Sequence, residues 1–264
     1  MIMSNLSISS SYLNRVKFIS SKDYALKAND LLIFNIYLPN FNHIKDELSL
    51  FLSSKEIKKS ERFYKDIDRS RFIIYRSILK FILAAYTKLD VKNINLSLDF
   101  NKKPYLESHP YLFFNISHSE DYAVIAISNK KIGIDIEYMS EDFKYTDLLP
   151  DTFDNSEILS IENAANTKET FYTLWTRKEA FVKALGKGID EDFKYIPCLE
   201  GKHTVDYDLL KSDQDWEVVS FDLTNKYVGS IAFESNSIIP KNLLLHAIPN
   251  TMKELYEMAQ KING

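Results

Sequence analysis

Hydropathy along the chain breaks into short apolar runs separated by polar turns, interrupted by two long stretches whose apolar residues recur at helical spacing. The first runs from Arg69 to Tyr86. Positions 72, 75, 79, 82, 83 and 86 are apolar and share one helical face, Arg69, Arg76 and Lys80 form a basic stripe, and Asp68 is placed to cap the N-terminus. Leu31–Leu38 reads as a strand closed by Pro39. Further strands are predicted over Ile94–Phe100, Tyr111–Ile116, Tyr122–Ser128 and Ile132–Glu137, and in the tail over Trp216–Leu223 and Tyr227–Phe233. A second helix is predicted over Lys168–Gly186, stopped by its glycine, and a third near Thr251–Lys261. Asp121-Tyr122 and Lys226-Tyr227 both leave a polar turn and enter a strand through tyrosine. A duplicated α/β unit would produce this echo, and so would strand composition alone. No Pro/Gly-rich linker interrupts the chain, so two tightly packed α/β lobes are expected, 1–130 and 131–264.

Composition narrows the function classes. The 264 residues are 45% hydrophobic, with 17 Phe and 16 Tyr to fill a core. A net charge of −4 argues against bulk nucleic-acid binding, which needs a basic surface, but leaves room for a local phosphate pocket. The single cysteine, Cys198, cannot form an intrachain disulfide, which fits a reducing cytoplasm. No run approaches the roughly 18–20 apolar residues that span a bilayer. Met1–Ser11 lacks the basic cluster and apolar stretch of a signal peptide. A cytoplasmic protein without membrane partners is the expectation.

Four constellations could carry chemistry. In Ile132-Gly-Ile-Asp-Ile-Glu137, strand alternation puts Asp135 and Glu137 on one face and Ile134 and Ile136 on the other. Paired carboxylates call for a positive partner, and Mg²⁺ takes such hard oxygen ligands; a solvated polar face is the ordinary alternative. In the second helix, Glu179 and Lys183 lie at i and i+4, either as a third metal ligand with a phosphate-neutralising lysine or as a surface ion pair. Phe113-Phe-Asn-Ile-Ser-His-Ser119 runs a strand into small polar donors. Ser117 and His118 could bind a phosphate, although as neighbours on an extended chain they point to opposite faces. Lys58, Lys59, Arg62, Arg69, Arg71, Lys102 and Lys103 supply positive charge suited to phosphates or simply to solvent.

In this order, Lys103-Pro104, Phe114-Asn-Ile-Ser-His-Ser119, Ile132-Gly-Ile-Asp-Ile-Glu137 and Trp175-x-x-Lys-Glu-Ala180-x-x-Lys183 resemble the phosphopantetheinyl transferase superfamily. The length is similar to that of the larger monomeric, surfactin-synthetase-activating group. The resemblance implies two similar α/β lobes in pseudo-two-fold arrangement, with coenzyme A in the cleft between them. It also implies transfer of the phosphopantetheine arm to a serine of an apo acyl, peptidyl or aryl carrier protein. Mg²⁺, with Mn²⁺ as the alternative, would sit on Asp135, Glu137 and Glu179, with Glu179 and Lys183 catalytic. Lys59, Arg71, Lys103, Ser117, His118 and Lys183 would hold coenzyme A. Lys102 stands where the family has the glycine of Gly-Lys-Pro, and Phe72 where close relatives often have a small hydroxyl residue.

Overall fold

The computed structural model describes residues 3–11, 13–16, 31–210, 213–235 and 243–260. In chain order the strands are β1 Met3–Ser10, β2 Leu13–Val16, β3 Leu31–Tyr37, β4 Ser97–Leu98, β5 Pro104–Tyr105, β6 Phe113–Ser119, β7 Tyr122–Ser128, β8 Ile132–Tyr138, β9 Gly201–Asp206, β10 Trp216–Thr224, β11 Tyr227–Glu234 and β12 Leu243–Ala247. The helices are α1 Lys45–Ser49, α2 Ser54–Ser60, α3 Asp66–Thr87, α4 Leu149–Thr152, α5 Asn155–Glu162, α6 Thr167–Leu185, α7 Tyr207–Leu210 and α8 Met252–Gln260.

Two five-stranded sheets result, ordered β2-β12-β3-β7-β6 and β8-β11-β10-β1-β9, with β4 and β5 forming a separate small hairpin. The α/β class expected from the sequence therefore holds. Alternation along β7 explains how the sheets stack. Ala123, Ile125 and Ile127 join the core under α3, while Val124 and Ala126 join a core shared with Ile132, Ile134, Ile136, Phe221 and Ile231 of the other sheet. Helix α6 covers the outer face of the second sheet, packing Ala180, Phe181 and Ala184 with Leu6, Trp216 and Val218. A boundary at 130/131 falls between β7 and β8, yet strand pairing crosses it at both ends of the chain. β1 pairs in the second sheet with β10 and β9, and β12 pairs in the first with β2 and β3.

Several elements differ from the sequence reading for physical reasons. Only Ser97–Leu98 of the strand expected at Ile94–Phe100 pairs, because Asp99–Lys103 closes a tight turn. β6 continues through Ser119, since its serines bond to a neighbouring strand instead of ending the element. The N-cap of α3 is Lys65; Asp68 lies in the first turn, where its carboxylate accepts from Arg71. Arg76 and Lys80 turn inward onto Glu56, at 3.1 and 2.7 Å, so two members of the basic stripe belong to a buried ion-pair cluster. Lys178 is likewise buried against Glu157 at 2.9 Å and donates to the carbonyls of Phe193, Lys194 and Ile196. The late helix covers Met252–Gln260; Lys261 lies outside the described residues. Among the described residues no helix is long and apolar enough to cross a membrane.

One glycine governs where α6 sits. A Cβ on Gly133 would overlap the carbonyl oxygen of Ala180 and the amide nitrogen of Ala184. Backbone on backbone at this point cannot relax by rotamer change, so overpacking here should cost about 3 kcal/mol or more. We therefore expect Gly133→Ala to lower the denaturant midpoint strongly in chemical unfolding, whereas an unchanged midpoint would show that α6 does not need this approach.

Candidate functional site

Ala180 and Ala184 form the stripe of α6 that rests on Gly133 of β8. Glu179 and Lys183 form the adjacent stripe, and the close contact swings them over Asp135, two residues further along the strand. Lys183 Nζ donates to Asp135 Oδ1 at 2.6 Å and stands 3.8 Å from Glu179 Oε2. Both sequence-predicted stripes thus converge at one place.

The other wall is β6, the edge strand of the first sheet. It runs alongside β8, the edge of the second, and side chains replace a backbone ladder between them. Asn115 Oδ1 accepts from Ile134 N at 2.8 Å and Ser117 Oγ donates to Asp135 Oδ1 at 2.7 Å. Ser119 Oγ donates to Glu137 Oε2 at 2.9 Å and accepts from Tyr138 N at 3.0 Å. Asn115, Ser117 and Ser119 share a face because they lie two residues apart. Their period-2 polar pattern is the signal that could have assigned Asn115 and Ser119 a role, which the sequence reading did not.

Electrostatics follow from this crowding. Burial, reinforced by Asp135, pushes the Glu137 carboxyl up to about 7. Glu179 is also raised, by burial first and Asp135 second, against the pull of Lys183. Burial works against the Lys183 ammonium, but Asp135 and Glu179 outweigh it and hold its pKa above the usual lysine range. Asp135 is almost fully buried, and its Oδ2 has no hydrogen-bond partner. Three carboxyl groups thus face one ammonium, with one buried acceptor unused. That donor set suits a hard divalent cation. Among the described residues no three Asp, Glu, His or Cys side chains are arranged so that together they could hold a metal ion; Mg²⁺ usually binds through one or two carboxylates, with waters and substrate oxygens for the rest of its shell.

The residues expected to meet a nucleotide are placed less uniformly. His118 points away from Ser117 and stacks on Tyr75 of α3, with ring centroids 4.5 Å apart. Burial on that side, with Lys183 and Arg71 near, holds its pKa down to about 4, so the imidazole is neutral at pH 7. Lys59 is exposed on α2, its Nζ 5.4 Å from the Phe72 ring centroid, beside a basic hollow formed by Lys55, Lys58, Arg62 and Phe63. Burial and then Arg76 lower its pKa. Arg71 is engaged otherwise. It bonds Asp68 at 3.1 Å, and Glu120 and Asp121 at 2.7 and 3.3 Å, which braces the β6–β7 turn where Glu120 has a φ of 44°. Lys103 Nζ donates to the carbonyl oxygens of Ile132 and Lys183, and burial lowers its pKa to about 8. Lys102, where the resembled family has glycine, holds a φ of 65°, so the turn keeps the left-handed conformation without that residue.

On the far side of Glu137 an aromatic groove of about 420 Å³ is lined by Tyr138, Phe143, Leu148, Tyr172 and Trp175. The two tyrosines of the internal echo meet behind the site: Tyr122 and Tyr227 lie 4.8 Å apart, and Tyr227 Oη accepts from Asp121 N.

Residues 39–130 match the family model described as 4′-phosphopantetheinyl transferase, N-terminal, and residues 131–232 match the 4′-phosphopantetheinyl transferase superfamily. A 4′-phosphopantetheinyl transferase of Bacillus subtilis is 32% identical over 161 residues, covering 60% of this chain and 71% of that protein. The transferase Sfp of Bacillus subtilis strain 168 is 29% identical over 160 residues, with the same coverage of 60% and 71%. A relative from Synechocystis sp. is 34% identical over 143 residues, or 52% of this chain, and there the chain spans only 58% of the relative's length. The chain belongs to the 4′-phosphopantetheinyl transferase superfamily, in the group of Sfp.

Proposed function

We propose that this protein transfers the 4′-phosphopantetheine arm of coenzyme A to a serine hydroxyl of an apo acyl, peptidyl or aryl carrier protein, releasing adenosine 3′,5′-bisphosphate. We assign it to the cytoplasm as a monomer. The observation that carries the reading is Lys183 seated between Asp135 and Glu179 while Asp135 Oδ2 is buried without a partner. Asp135, Glu137 and Glu179 would hold Mg²⁺ or Mn²⁺, which when bound supplies positive charge to the pyrophosphate oxygens.

The chain's own groups do the rest. Lys183, kept protonated by Asp135 and Glu179, presents fixed positive charge where the pyrophosphate must lie. The serine oxygen bonds to the β-phosphorus as the bond from that phosphorus to the bridging oxygen of the departing nucleotide breaks. Glu179, with its raised pKa, takes the serine proton directly or through a water. Lys59, Ser117 and His118 border the nucleotide end, His118 as a neutral hydrogen-bonding group. Arg71 and Lys103 act through the protein groups that they already bind.

The direct test is mass spectrometry of an apo carrier protein incubated with this protein, coenzyme A and Mg²⁺. The expected result is the mass gain of one phosphopantetheine arm, lost with EDTA and lost in a folded Asp135→Ala variant. Absence of gain across several carrier types, from protein that still binds coenzyme A, would instead mark a binding module. His118→Ala should weaken coenzyme A binding several-fold more than dephospho-coenzyme A binding, measured by calorimetry; equal losses would remove His118 from the 3′-phosphate. In metal-free protein, Glu137 favours the fold while protonated. Its raised pKa contributes stability that is complete below 4.5 and lost as pH rises through about 7. Thermal unfolding in EDTA from pH 5 to 8 should therefore fall more steeply for wild type than for Glu137→Gln, and parallel curves would refute the assignment.

A further inference from the structure

Resting on the transfer reaction proposed above, we propose that the turn at residues 99–103 is a clamp on the C-terminal end of α6, with Lys103 a positioning residue for Lys183. The turn is self-contained. Asp99 N donates to Lys103 O and Lys102 N to Asp99 O, both at 3.0 Å, while Lys103 N donates to Asp99 Oδ1 at 2.8 Å. From it two side chains reach the last turn of α6. Asn101 Nδ2 donates to Gly186 O at 2.6 Å, and Lys103 Nζ donates to Lys183 O. The same Nζ donates to Ile132 O at 3.0 Å, on the first residue of β8. Lys103 thus joins the main chains of the two elements that carry Asp135, Glu137, Glu179 and Lys183.

The chemistry of the clamp is that of a helix terminus. The final carbonyls of a helix lack intrahelical partners, and the macrodipole favours a cation there. Gly186, with a φ of 72°, and Lys187 close part of that end through the Lys183 and Val182 carbonyls. Lys103 and Asn101 come from before β6 and attach the same end to the first half of the chain. Two of the three N–H bonds of Lys103 are directed at carbonyls, and Lys103 is mostly buried, so its charge acts on the scaffold. A displacement of about 1 Å at a charge-stabilising group can cost on the order of a hundredfold in rate, so fixing the main chain of Lys183 bears directly on the transfer step.

Steady-state kinetics separate this role from a phosphate contact. Lys103→Met should lower kcat about tenfold or more, leave KM for coenzyme A within about twofold, and leave the preference over dephospho-coenzyme A unchanged. Lys103→Arg, which keeps a cation and several donors, should recover most of kcat. Asn101→Ala changes an exposed side chain and serves if Lys103→Met does not fold. It should lower kcat about threefold at constant KM, and quicken hydrogen exchange of the amides at 183–187. A raised KM for coenzyme A with dephospho-coenzyme A unaffected would make Lys103 a phosphate contact and overturn the proposal. Unchanged exchange in Asn101→Ala would overturn the clamp without reference to activity. A wild type that transfers nothing to any carrier would defeat the transfer reading, and the exchange measurement would still judge the clamp.

Discussion

Backbone contact between α6 and β8 at Gly133 is the constraint on which the remaining geometry depends. A helix normally stands off a sheet by the thickness of two side-chain layers. Here Gly133 contributes none, and Ala180 and Ala184 contribute one methyl each, so the axis drops toward the strand. Only at that distance does Lys183 reach Asp135 Oδ1 while remaining near Glu179. Residues of ordinary size at these positions would lift Glu179 and Lys183 away from Asp135 and Glu137 and leave Asp135 buried beside no cation, a costly arrangement.

The second sheet's edge meets the first through side chains, and this gives the site its chemistry. A backbone ladder between β6 and β8 would have closed the gap with amide pairs. Asn115, Ser117 and Ser119 satisfy the edge instead and leave carboxylate oxygens facing inward. Burial then raises Glu137 and Glu179, so the site holds protons at pH values where exposed carboxylates have lost theirs. Two buried lysines elsewhere are well engaged: Lys178 with Glu157 and three carbonyls, Lys80 with Glu56 and the Phe51 carbonyl. Asp135 keeps one buried acceptor, Oδ2, without a hydrogen-bond partner.

What could be read from the residues was whatever depends on local period. Strand alternation placed Asp135 with Glu137, helical spacing placed Glu179 with Lys183, and strands β7, β8, β10 and β11 with helices α6 and α8 were legible within a residue or two, while α3 begins three residues before Arg69. Long-range placement was not legible. β1 reads as a polar segment, because only Ser4, Leu6 and Ile8 face inward, and its partners lie some two hundred residues away. Basic residues were the least legible. Arg71, Arg76, Lys80 and Lys103 look alike in sequence to Lys59, but carboxylates and carbonyls supplied by distant segments decide which remain exposed.

The exchange of chain ends between the sheets bears on how the molecule comes into being. The first sheet places β12, near the C-terminus, between β2 and β3, and the second places β1 between β10 and β9. The first sheet lacks β12 until residues 243–247 have been synthesised, and the second lacks β10 and β11 until residue 234 has been, so the first half cannot settle into its final form on the ribosome ahead of the second. Contacts between residues more than two hundred positions apart carry a high loop-closure cost before they repay it, which predisposes the chain to slow folding. The same interlocking means that neither half can melt without stripping a strand from the other, so the two are bound into one cooperative unit.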